Sequence, residues 1–253
     1  MKKIIKKLLT LTILSQLSFL SLNALADTTT KQEGQTKEKI KIDIISDVVC
    51  PWCAIGYKRL SVAIEELNIE DQVEIVWHPF QLNPDMPREG QNADEYLMNK
   101  LRLTEERLKQ TRESVTKLGK DTGFEFDYFK DMKKLNTFNA HILLDYAKEV
   151  GKQTELKVRL QKAYFSERKD ISSRNVLVKE LDTVGLNIAE AMARLDDPVA
   201  IKRVQDEEKY WRERGVYAIP TMLFDERVVR MGASKVADYK QLLTTLLDTK
   251  ENN

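Results

Sequence analysis

The chain has 253 residues, with 41 basic and 40 acidic side chains, two histidines and two cysteines. So even a balance gives no electrostatic basis for binding nucleic acid or an anionic membrane surface, and two cysteines exclude a disulfide-dense small domain. A chain this long can bury a conventional core without covalent staples, so the cysteines need another explanation.

Residues 1–26 read as a secretory signal: Lys2, Lys3, Lys6 and Lys7 form a basic head, an apolar run follows from Leu8 to about Leu22, and Ala24-Leu25-Ala26 offers small residues for cleavage. Ser15, Gln16 and Ser18 interrupt that run, which is shorter than the ~20 residues needed to span a bilayer. The expectation is therefore cleavage near Ala26, a periplasmic or secreted product, and no stable membrane insertion afterwards. Loss of four lysines leaves 37 basic against 40 acidic residues, a net charge of −3. Residues 27–38 are polar and aperiodic, a flexible leader.

Ile40, Ile42 and Ile44 alternate in a strand pattern. Cys50-Pro51 opens a helical pattern with Tyr57, Leu60, Ile64 and Leu67 on one side, and Val73–Phe80 reads as a second strand. Strand, helix and strand so close together imply a parallel βαβ unit. From Ala93 to about Arg214 the signals are almost all helical: Asn92 with Glu95, Thr104, Asn136, Asn187 with Glu190, and Asp197-Pro198 mark starts, while Gly151, Gly185 and Gly215 mark stops. Two short strands, Thr221–Phe224 and Arg227–Met231, then flank a turn at Asp225-Glu226, and a helix runs from about Ser234 to Asp248. This is the order of a thioredoxin fold, an α/β architecture (residues 39–91 and 215–249), with a large all-helical insertion (92–214) between its βαβ and ββα halves.

Cys50 and Cys53 stand three apart at the start of the first helix. That spacing puts both on one side with Cα atoms about 5–5.5 Å apart, within disulfide range. Cys50, at the helix N-terminus, gains from the macrodipole and unpaired N–H groups as a thiolate. It is the expected nucleophile, and the deeper Cys53 the resolving thiol. Pro51 sets the path into the helix, and Trp52 presents an apolar surface beside the thiol. A structural bridge over so small a loop stabilises little. Zinc usually takes four ligands, and only His78 and His141 remain as nitrogen donors. Dithiol chemistry needs neither metal nor organic cofactor.

SDVVCPWCAIGYKRL, WHPFQLNP, NTFNAHILLDYAKEVGK, KAYFSERKDIS and GVYAIPT with the downstream MGAS together resemble the DsbA-like thioredoxin-domain family, FrnE-type, of the superfamily that includes 2-hydroxychromene-2-carboxylate isomerase. The resemblance spans residues 40–248 and implies thiol–disulfide oxidoreductase activity. It also implies a cis Ile219–Pro220 bond packed against the cysteines, with Ile219 backbone groups facing a substrate groove. Asn136 reads as a helix cap and His141 as a partly buried hydrogen-bonding residue; the resemblance keeps both as candidates for lining the site. His78, Lys58, Arg59 and the run Asp206-Glu207-Glu208-Lys209 read as structural or solvated. Asp47, if near Cys50, would oppose its thiolate.

The expected partners are cysteine-containing protein substrates and a redox partner that reoxidises or reduces the pair. Oxidase activity is favoured. A reductase or isomerase, a chaperone-like binding module, and a glutathione-linked isomerase or transferase stay open as alternatives. Expressed with its own N-terminus in a bacterial host, the exported protein should begin at Asp27 by intact mass. A product that keeps residues 1–26 contradicts cleavage.

Overall fold

The structure, a computed structural model, describes residues 38–251; the expected signal segment and all but the end of the leader lie outside the described residues. Strand β1 (Ile40–Ser46) pairs in parallel with β2 (Val73–Pro79), from Ile40 opposite Val73 to Ser46 opposite Pro79. Helix α1 (Pro51–Leu67) connects them. On its other side β1 runs antiparallel to β5 (Thr221–Phe224), which pairs with β6 (Val228–Met231), so the sheet order is β2-β1-β5-β6.

β1 is interior to the sheet, and layers packed on either side bury both of its faces. Ile40, Ile42 and Ile44 pack with Leu60 and Ile64 of α1 and with Tyr239 and Leu243 of α9 (Val236–Glu251). The alternate residues carry Asp43 and Ile45 into the opposite face, where Ile45 meets Phe80 and Trp211. The hairpin loop is one residue longer than a two-residue turn, because Phe224 pairs with Val228. Asp225 continues the β1 ladder, donating its N–H to Lys41 O (2.8 Å) and accepting the Lys41 N–H at Oδ1 (2.9 Å).

Between β2 and β5 come α2 (Ala93–Leu101), α3 (Glu105–Asp121), α4 (Phe138–Glu149), α5 (Gln153–Phe165), α6 (Arg174–Thr183), α7 (Ile188–Arg194) and α8 (Pro198–Glu213). Asn92, Thr104, Asn187 and Asp197 cap their helices through side-chain oxygens. A two-residue ladder, β3 (Gln91–Asn92) with β4 (Lys133–Lys134), interrupts the helices; it is too short to leave a periodic signal. The helical layer is not a separate body. Its core continues into Val48, Val49, Ala54 and Ile55, which flank the cysteines.

Helix α5 covers the edge of the sheet as a strand would. The Gln153 side-chain amide donates to Trp77 O (2.8 Å) and accepts from Trp77 N (2.9 Å), pairing backbone groups that an edge strand leaves open. In the run Asp206-Glu207-Glu208-Lys209 of α8 the two ends are solvated as expected, but Glu207 and Glu208 are not. Glu207 reaches His78 Nδ1 (2.5 Å), and Glu208 is buried, accepting Gln81 N–H (2.5 Å) and Arg212 (2.9 Å). Arg59, also read as solvated, donates to Ala233 O at 2.9 Å.

Gly119 lies inside α3, which continues to Asp121. A Cβ there would sit 2.4 Å from Phe126 Cδ2. Gly119→Ala should therefore destabilise by about 1–3 kcal/mol through overpacking, where a free helix position would gain about 0.5–1 kcal/mol. Denaturant midpoints of the two proteins decide the sign.

Candidate active site

Cys50 is the N-cap of α1, with extended backbone (φ −98°, ψ 114°), and Pro51 follows at the first helical position. The turn from β1 is closed by Cys50 N–H donating to Asp47 O at 3.4 Å. Both thiols are free; Cys50 is 3% exposed and Cys53 fully buried. Across from them the Ile219–Pro220 bond is cis, and the Cys50 thiol donates to Ile219 O at 3.9 Å. Gly56 permits this approach, since a Cβ on it would lie 3.2 Å from Pro220 Cγ. Gly232 N–H donates to Pro220 O (2.8 Å), tying the loop to the strand beyond it.

The two sulfurs are electrostatically unlike. Hydrogen bonding from the Cys53 thiol holds Cys50 below the ordinary thiol range, helped by the Cys53 N–H and the Lys134 charge, against burial and the Asp47 carboxylate. Burial pushes Cys53 well above that range, and the Cys50 sulfur adds to the shift. Low and high thiol pKa values side by side divide nucleophile from resolving group.

Beneath the pair lies a buried polar cluster that the sequence reading did not assemble. Asp47 is 1% exposed; its Oδ2 accepts the Leu82 N–H (2.9 Å) and its Oδ1 is 3.3 Å from His141 Nε2. Burial pushes this carboxyl up, but His141, the Leu82 N–H and the Lys157 charge outweigh it and hold Asp47 below its usual value. Lys157 of α5 is 1% exposed, with its ammonium 5.2 Å from the Trp77 ring centroid. Burial lowers its pKa to about 8, against the pull of Cys53 and Asp47. Lys134 of β4 is buried on the Cys50 side; burial lowers its pKa too, opposed by Cys50 and Asp47. Gln153, Lys157 and Gln161 recur at every fourth position of α5 and all are buried. That polar stripe was the available signal, but in a lone sequence such a stripe reads as a solvated face.

The expected site residues are divided by the fold. Cys50, Pro51, Trp52 (40% exposed) and Ile219 line one cleft, with Pro220 buried behind it. His141 lies below, against Asp47. Asn136 does not line the cleft. Its Nδ2 donates to Met86 O (2.9 Å) and its Oδ1 accepts the Phe138 N–H (3.0 Å), which turns it to a separate depression with Gln81, Pro84 and Arg88. Nor is it the N-cap of α4; that residue is Thr137. Among the described residues no group of three or more His, Cys, Asp or Glu converges on a metal position, and no helix is long and apolar enough to cross a membrane.

The sequence profile described as DSBA-like thioredoxin domain matches residues 41–244. The uncharacterized protein YwbO of Bacillus subtilis (strain 168) is 25% identical over 201 residues, covering 78% of this chain and 92% of that protein. The crystal structure of a probable DsbA oxidoreductase from Streptomyces coelicolor superposes with a TM-score of 0.76 at 26% identity, covering 81% of this chain and 89% of that one. The cytosolic disulfide reductase DsbM from Pseudomonas aeruginosa shares the fold, with a TM-score of 0.58 at 17% identity over 83% of this chain and 99% of that one.

The charges around Cys50 give opposite expectations for two variants. Asp47→Asn removes an opposing anion and should shift the pH profile of Cys50 alkylation to lower pH. Lys134→Met removes a supporting cation and should shift it to higher pH. Iodoacetamide rates against pH, with peptide mapping, report both, and Cys50 should be labelled before Cys53 in every case. A common direction for the two variants, or Cys53 labelled first, contradicts the assignment.

Proposed function

This chain belongs to the DSBA-like thioredoxin domain family, and on that premise we propose that it is an exported thiol–disulfide oxidoreductase that oxidises protein thiols through Cys50 and Cys53. What carries the reading is the pairing of a low-pKa Cys50 at a helix N-terminus, facing the Ile219 carbonyl, with a high-pKa Cys53 one turn deeper. The basic, apolar and small-residue pattern of residues 1–26 supports export, and an oxidising compartment suits a protein carrying one dithiol and no other cysteine.

In the oxidised enzyme a substrate thiolate attacks the Cys50–Cys53 bond at Cys50, releasing Cys53 as a thiolate that takes up a proton. The second substrate thiol, as thiolate, attacks the substrate sulfur of the mixed disulfide and expels Cys50. The substrate gains a disulfide and the enzyme is left reduced. Cys50 is the better leaving group because its thiolate is stabilised. The proton for Cys53 can come from the buried cluster, where burial brings the Lys157 ammonium down to a pKa of about 8. The Ile219 backbone, beside Cys50, can pair with an extended substrate segment.

Direction follows from thiolate stability. A depressed Cys50 pKa stabilises the reduced protein; that contribution is fully present above the pKa of an unfolded thiol and is lost as pH falls through the folded value. Lys134 strengthens it and Asp47 weakens it. The potential should then lie between about −270 mV for thioredoxin and about −120 mV for DsbA.

Cys53→Ala should accumulate covalent mixed disulfides with substrate proteins on non-reducing gels, while Cys50→Ala accumulates few. If neither variant traps anything and both still suppress aggregation, the protein is a binding module. At neutral pH the reduced form should melt above the oxidised form. The reverse order defeats the oxidase direction and favours a reductase, as in the cytosolic DsbM enzyme with the same fold.

A further inference from the structure

The cleft beside Cys50 combines apolar walls with three cationic side chains. It has a volume of about 290 Å³, close to the ~300 Å³ lower bound of small-ligand sites. Leu97, Leu108, Val115, Met132 and Phe165 form apolar walls, and the partly exposed Trp52 and Leu101 stand at its rim. Into this apolar space project Lys100, Arg112 and Lys134.

Two of the three meet no carboxylate. Lys134 is only 8% exposed, and its ammonium makes no hydrogen bond or ion pair among the described residues. Lys100 donates only to uncharged acceptors: Leu82 O (3.0 Å), Asn83 Oδ1 (2.7 Å) and Tyr96 OH (3.2 Å). Arg112 contacts the Asp94 carboxylate, yet its Nε is buried without an acceptor, and its guanidinium lies 4.9 Å from the Tyr128 ring centroid. Three cations thus line the cleft, one of them paired with the Asp94 carboxylate, and Asp47 lies below. A buried cation without a counter-charge is costly, and low-dielectric walls focus its field on whatever enters.

We propose that the cleft binds a small disulfide carrying an apolar body and a carboxylate, and that this molecule is the redox partner that reoxidises Cys50 and Cys53. The inference rests on the thiol-exchange reading above. The Cys50 thiolate attacks one sulfur of the bound disulfide, forming a mixed disulfide and releasing the first thiolate, which takes up a proton. Deprotonated Cys53 then attacks Cys50, expelling the second thiolate and closing the Cys50–Cys53 bond. The enzyme dithiol loses two electrons and two protons, and the small disulfide becomes two thiols. The carboxylate meets Lys134 and Arg112, while the apolar body lies against Leu97, Leu108 and Phe165.

Two aromatic disulfides test this: anionic 5,5′-dithiobis(2-nitrobenzoate) and neutral 4,4′-dithiodipyridine. Stopped-flow rates of Cys50 oxidation in the reduced full chain should show an anionic-to-neutral ratio that falls at least tenfold in Lys134→Met and is largely kept in Lys134→Arg. Any change in Cys50 thiolate content acts on both reagents, so the ratio isolates the binding of the carboxylate. On the unmodified protein, 2-nitrobenzoate should protect Cys50 from iodoacetamide and neutral nitrobenzene should not, a measurement that needs no variant to fold. If Cys50 reacts with both disulfides but the ratio is unchanged in Lys134→Met, or 2-nitrobenzoate gives no protection, the carboxylate site is wrong while the exchange reading stands. If Cys50 reacts with neither disulfide, both fall together.

Discussion

A carboxylate buried three residues before the nucleophile governs how this molecule is built. Asp47 at the end of β1 is held ionised in the interior, and an isolated charge there is strongly unfavourable. Its compensation comes from three distant stretches of chain: the Leu82 N–H after β2, His141 on α4 and Lys157 on α5. The need to satisfy Asp47 therefore joins the sheet to the helical insertion directly beneath the cysteines. Charge and packing act at the same place, since Val48, Val49, Ala54 and Ile55 bury against the same helices.

The loop after β2 shows how such constraints propagate. Glu208 and Arg212 of α8 grip Gln81, Asp47 holds Leu82, and Tyr96 with Lys100 of α2 holds Asn83. Successive residues are thus fixed by three elements, which keeps the cleft wall beside Cys50 in place. On the same side of the sheet His78 bridges Asp43 (2.7 Å) and Glu207 (2.5 Å). Burial alone would lower its pKa, but the two carboxylates raise it, which favours the charged imidazolium in a bridge that links β1, β2 and α8.

The asymmetry of the dithiol comes first from the Cys53 hydrogen bond to Cys50 and from the burial of Cys53, and the insertion adjusts it. A cation from β4 acts on Cys50 and a cation from α5 acts on Cys53, while Asp47 opposes the thiolate of the first. The residue between the cysteines nearest the N-terminus is Pro51 and the next is Trp52, neither ionisable. Tuning of the pair therefore comes from side chains far away in sequence, in addition to the helix N-terminus itself.

Local rules were enough for much of this protein. The alternation of Ile40, Ile42 and Ile44, the caps at Asn92, Thr104, Asn187 and Asp197, and the Cys50-Pro51 helix start each depend on neighbours within a few residues, and the sequence by itself determined them. The spacing of Cys50 and Cys53 likewise carried its chemistry openly, because helix geometry alone brings them together. What only the tertiary structure decided is which polar side chains are buried. Lys134, Lys157 and Glu208 look in sequence like any other charge on a helix or turn, and Asn136 looks like a cap. Their surroundings are set by contacts between residues tens to more than a hundred positions apart, such as Gln81 with Glu208. Periodicity tells which face of an element is apolar; it does not tell which polar residue that face, once packed, will enclose beside a thiol.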